Sequence, residues 1–172
     1  MPDWPNPCRI AGPIMASNKP RKKVIVSSDV PTRNFEADKL IFDLKVTLAA
    51  DRNAVGPVVQ GIMELVTKMK VAVGKEDAIE LALTEALANA VIHGAKGDPA
   101  KIIECDVGCD ESRGVLIVVR DPGDGFDPAA ISNPVQGENL YSDHGRGIYL
   151  INQLMDDVKF LKNGTEIRMI KR

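Results

Sequence analysis

The sequence predicts an α+β fold, with one mixed sheet and its helices gathered on one face. Three patterns carry that expectation. Phe42–Leu48 alternates apolar and polar residues as a half-buried strand does. Two long segments after it repeat apolar residues at helical spacing, and two further strand-like runs precede a late helix and a closing hairpin. No internal repeat interrupts this order, and 172 residues suit one domain around a single core.

Residues 1–40 are expected to form a flexible extension. They hold Pro2, Pro5, Pro7, Pro13 and Pro20, then the basic cluster Lys19, Arg21, Lys22 and Lys23, a composition poor in core-forming residues. Met15 offers an alternative start, and Val24–Val26 has the makings of a short strand. The folded domain is expected to span residues 41–172.

Within it, a helix is expected from about Ala54. Val55, Val58, Val59, Ile62, Leu65, Val66 and Met69 form one apolar stripe, with Pro57 placed near the first turn. A second helix is expected from about Glu76 to His93, ended by Gly94, with a stripe of Ile79, Leu83, Ala86, Leu87, Ala90 and Val91. Strands follow at Lys101–Val107 and Val115–Arg120, joined by the polar turn Asp110–Gly114. The Gly/Pro/Asn-rich segment Asp121–His144 lacks periodicity, and a structureless loop of that length is usually functional. A short helix over Gly147–Met155 precedes a hairpin of Val158–Leu161 and Glu166–Ile170 turning at Asn163-Gly164.

The composition narrows the function. A formal net charge of -2 argues against a protein directed at nucleic acid, which would carry a basic excess. A single nucleotide is another matter, since it needs only a few aimed donors. Cys8, Cys105 and Cys109 complete no zinc pattern and read as reduced thiols. No apolar run reaches the roughly 18 residues of a membrane helix, and no secretion signal opens the chain. A cytoplasmic protein is expected.

Three polar constellations remain. Glu85, Asn89 and His93 recur every four residues and so line one side of a helix, beside its apolar stripe. Asp121-Pro122-Gly123-Asp124-Gly125 ends a buried strand in an acid followed by alternating glycines; the acid can accept from an exocyclic amine such as adenine's, and glycine lets a flat ligand approach. His144-Gly145-Arg146-Gly147 opens a helix, where free N–H groups suit phosphate. Each alone is equally a helix face, a turn or a cap. There is no P-loop lysine and no strand-GxGxxG-helix unit.

Taken in order, Glu85-x-x-x-Asn89-Ala90-x-x-His93-Gly94, Asp121-x-Gly123-x-Gly125, Gly145-x-Gly147 and Gly164-Thr165 resemble the N, G1 and G2 boxes of the GHKL ATPase superfamily, which includes gyrase B, MutL and histidine kinases. The resemblance spans about Leu44 to Ile170. Glu85–Gly94 and Gly145–Val158 are most similar to bacterial anti-sigma-factor serine kinases of the RsbW type, which are stand-alone domains of this size. The fold this implies is a two-layer sandwich with a mostly antiparallel sheet, as in histidine-kinase ATPase domains.

The resemblance also implies a set of roles. Asn89 would ligate Mg²⁺, Asp121 would accept from adenine, and Gly123 and Gly125 would shape the base pocket with Thr165 behind Asp121 through water. Gly145, Arg146 and Gly147 would meet the phosphates of ATP, Asp124–His144 would form a lid, and Glu85 would be the general base. His93 fits the motif either as a ligand contact or as a helix end. The implied partners are a sigma factor and a STAS-type anti-anti-sigma protein bearing the substrate serine, with a homodimer through the sheet near Phe42–Leu48 and no direct contact with nucleic acid or membrane. A non-catalytic ATP-gated binding module and a plain ATPase are the alternatives. A detached histidine-kinase domain is disfavoured, because His93 and His144 both fall in the nucleotide boxes.

Overall fold

The computed structural model describes residues 26–27, 42–110, 112–126 and 143–172. In chain order the elements are β1 (Val26–Ser27), β2 (Phe42–Ala49), α1 (Arg52–Met69), α2 (Glu76–Asn89), β3 (Ile102–Asp110), β4 (Gly114–Arg120), α3 (Asp143–Leu154), β5 (Asp157–Leu161) and β6 (Glu166–Lys171). The six strands lie in the order β1-β2-β3-β4-β6-β5. Every pairing among the described residues is antiparallel, so the mixed sheet expected from the sequence is antiparallel throughout this part. β1 pairs its two residues with Val46 and Lys45, occupying that stretch of the β2 edge.

Strand alternation decides what the sheet buries. Leu44, Val46 and Leu48 of β2, Ile103, Cys105, Val107 and Cys109 of β3, and Val115, Ile117 and Val119 of β4 enter one apolar cluster with the helices. From α2 the predicted stripe of Ile79, Leu83, Ala86, Leu87, Ala90 and Val91 is buried in full. A fully buried aliphatic side chain stabilises by about 1.5–3 kcal/mol, so this stripe fixes the roll of α2 firmly. Burial pushes the Cys105 thiol up to about 12, with the charge of Asp106 adding to the effect, and burial pushes Cys109 up to about 11. Both are free, inert core thiols.

The structure corrects three helix boundaries. α1 starts at Arg52 behind the N-cap Asp51, whose carboxylate accepts from the Asn53 N–H, and this leaves Pro57 in the second turn instead of the first. Met63 is buried in that stripe, while Met69 is 37% exposed. α3 begins at Asp143, so Gly145 and Gly147 lie inside the helix and not before it. α2 is regular only to Asn89, and Ala90–Gly94 form a π-turn in which the Ala95 N–H reaches back five residues to the Ala90 carbonyl at 2.8 Å.

On the opposite face, Arg120 donates to Asp106 at 2.5 Å and to Glu166 at 2.7 Å, and Lys162 reaches the same Glu166 oxygen at 2.8 Å. Arg120 thus ties β3, β4 and β6 together one residue before Asp121. Asp106 there is only 2% exposed.

Candidate functional site

The buried stripe of α2 leaves Glu85 and Asn89 half-buried at the edge of the core. The neighbouring helix meets them at a glycine. A Cβ on Gly147 would lie 2.8 Å from Oε2 of Glu85 and 3.3 Å from Nδ2 of Asn89, so no larger residue fits there without displacing them. Both polar side chains of the first constellation are therefore seated against the second turn of α3.

Asp121 follows the last residue of β4, and its N–H donates to the Thr165 carbonyl at 3.0 Å. Its carboxylate is held between two glycines. A Cβ on Gly94 would collide with it, and one on Gly123 would lie 2.7 Å from Oδ1 and 2.5 Å from the Gly94 carbonyl oxygen. Oδ1 accepts the Gly123 N–H at 2.8 Å. Burial raises the Asp121 carboxyl above the usual aspartate range, opposed in part by that hydrogen bond and by the charge of Lys101. It is a desolvated acceptor with room on its open side.

Past Asp121 the chain is pinned to the β5–β6 turn. Gly125 has φ +80 and lies against the Asn163 carbonyl, where a side chain would collide. The next N–H, from Phe126, donates to that same carbonyl at 2.8 Å. These contacts enclose a cavity of about 600 Å³, within the range of small-molecule sites. Asn89, His93, Asp121 and Gly125 line it, together with Ala86, Gly94, Lys96, Asp124, Ile148 and Phe160.

The predicted residues do not all sit on that wall. Glu85 and Gly147 lie beside it next to Asn89, and Gly123 lies behind Asp121. Gly145 falls in the first turn of α3, and Arg146 is exposed on the same helix. Thr165 supports Asp121 through its backbone carbonyl, and its hydroxyl donates to the Lys162 carbonyl at 2.9 Å. Most of the expected lid, residues 127–142, lies outside the described residues. Three wall residues were not anticipated: Lys96, which pairs with Asp124 at 3.2 Å, and the aromatic pair Phe126 and Phe160. The signal for Phe160 was present, since it alternates with Val158 on the helix-facing side of β5.

Among the described residues, no group of three or more His, Cys, Asp or Glu could hold a metal ion. A cation at Asn89 would have to share its shell with water and phosphate oxygens, the habit of Mg²⁺. The seat at Gly147 and the dry acceptor at Asp121 fit that arrangement. Among the described residues, no helix is long and apolar enough to cross a membrane.

Comparison with known proteins agrees with this geometry. Residues 48–171 match the family model described as the histidine kinase-like ATPase domain. The chain is 31% identical over 117 residues to the serine-protein kinase RsbW of Bacillus licheniformis, covering 62% of this chain and 71% of that protein. It is 27% identical over 135 residues to RsbW of Bacillus velezensis, covering 74% and 84% respectively. Against RsbW of Bacillus thuringiensis the identity is 37% over 103 residues, covering 54% and 61%.

Proposed function

We propose, because this chain belongs to the histidine kinase-like ATPase domain family and to its RsbW-like anti-sigma kinases, that it binds Mg-ATP and phosphorylates a serine on a STAS-type anti-anti-sigma protein. In the nucleotide-bound state it would sequester a sigma factor. The observation that carries the reading is the glycine seat, which sets Glu85 and Asn89 together against α3 and beside the cavity that contains Asp121.

The division of labour follows from position. Asp121 accepts from the exocyclic amine of the base, and its desolvation strengthens that hydrogen bond. The early N–H groups of α3 face phosphate, helped by the helix dipole. Asn89 offers its side-chain oxygen to Mg²⁺. When bound, the metal would bridge phosphate oxygens and offset the charge that develops during transfer. Glu85, within reach of the same point, takes the proton of the attacking serine hydroxyl, a role worth about 10²–10⁴-fold in rate. His93 lines the cavity at the π-turn and shapes its wall. A cytoplasmic homodimer through the sheet near Phe42–Leu48 belongs to the same reading.

The test is to incubate the protein with γ-labelled ATP and purified STAS-domain partners. Label on a partner serine supports the kinase reading. Release of inorganic phosphate with no labelled partner points to a plain ATPase, and nucleotide binding without turnover points to an ATP-gated binding module.

A further inference from the structure

We propose that Phe160 and Phe126 form the aromatic wall that selects the purine ring, an inference that rests on reading the cavity as a nucleotide site. Their ring centroids are 5.5 Å apart with planes at 70°, an edge-to-face pair. Both line the same cavity as Asp121.

The pair is built and not incidental. Phe126 is 38% exposed, yet its ring is locked in place. Its N–H is fixed to the Asn163 carbonyl at 2.8 Å, and the ring lies over Gly164, where φ is +85 and a Cβ would come within 2.7 Å of Cδ1. A side chain at Gly164 would thus expel the ring. Immobilising a partly exposed aromatic costs side-chain entropy and leaves apolar surface wet, costs that a flat ligand covering it would offset. Phe160 packs its other side on the core, which keeps the wall rigid.

A rigid aromatic corner with one desolvated carboxylate suits a planar heteroaromatic ring that carries an amino group. Asp121 reads the amine; the two phenylalanines read the ring. Neither contacts phosphate in this arrangement, so their contribution belongs to the base alone.

The experiment is a calorimetric titration of wild type, Phe160→Leu and Phe126→Leu with three probes: ATP, ADP and inorganic tripolyphosphate, each with Mg²⁺. Base–aromatic contacts predict a loss on the order of tenfold for ATP and the same loss for ADP, with tripolyphosphate unchanged. Unchanged ATP affinity in both leucine variants would overturn the inference, as would an equal loss for all three probes, which would mark a merely structural role. Asp121→Asn separates the two levels. If wild type binds no ATP, or Asp121→Asn leaves its affinity intact, the nucleotide reading falls first and the aromatic wall with it.

Discussion

Replacing Gly94 by alanine tests the geometry around Asp121 with a single methyl group. The substitution is easy on the backbone, because Gly94 sits in the π-turn and is not among the glycines with positive φ. Helix propensity even favours alanine by up to about 1 kcal/mol. The methyl, however, collides with the Asp121 carboxylate. Relaxed carbon contacts lie near 3.5–4.0 Å, so the carboxylate has to retreat by roughly an ångström or more. It then leaves the Gly123 N–H, now at 2.8 Å, and the position from which it would meet a base. A hydrogen bond to a charged group contributes about 1.5–3 kcal/mol, which corresponds to a weakening of ATP binding by about 10- to 150-fold. Titration calorimetry with a non-hydrolysable ATP analogue reads this directly. Gly61→Ala is the control, since no atom lies within 4 Å of a Cβ there, and it should leave affinity alone. An affinity for Gly94→Ala within twofold of wild type would refute the claim that Asp121 is the base acceptor held by Gly94.

Asn89→Ala should abolish the Mg²⁺ dependence of ATP binding, and a titration with and without the metal would reveal an unchanged dependence if the assignment is wrong. Glu85→Ala should still bind ATP but lose transfer by about a hundredfold or more; full transfer to a STAS partner would remove Glu85 from its role. Arg120→Met should cost about 3–5 kcal/mol in chemical denaturation, because Asp106 is left buried without its cation, and a loss below about 1 kcal/mol would refute that account. The cost should also depend on pH. Burial alone would raise the Glu166 carboxyl, but hydrogen bonds from Lys162 and Arg120 outweigh it and hold the group below its usual range. Its contribution is therefore present above the ordinary glutamate pKa and disappears as pH falls through the depressed value, where the penalty of Arg120→Met should shrink.

Local periodicity carried most of the fold. The α2 stripe and the β2 alternation were legible because burial on one face imposes a repeat on the sequence. The nucleotide boxes were legible because glycine and acidic residues are demanded at fixed offsets. What escaped prediction depends on contacts distant in sequence. The Phe126–Phe160 pair joins residues 34 positions apart across a turn, and no local pattern marks it. Asp106 alternates outward like any solvent-facing strand residue, yet it is buried with Arg120. The start of α3 was misplaced by four residues because glycines at 145 and 147 argue locally against helix, whereas packing against Glu85 and Asn89 demands them inside it.

The π-turn at Ala90–Gly94 has a history written into it. A helix that spends one extra residue in a turn looks like the product of a single-codon insertion, and it divides α2 into two segments that are out of phase. Removing a residue there would restore a regular helix and turn everything beyond it by about 100°. The repaired helix would be the better one by backbone hydrogen bonding, yet Gly94 would no longer meet Asp121. Selection for thermal robustness alone would then favour shortening this segment. Retaining the extra residue is what a lineage selected for its pocket would do.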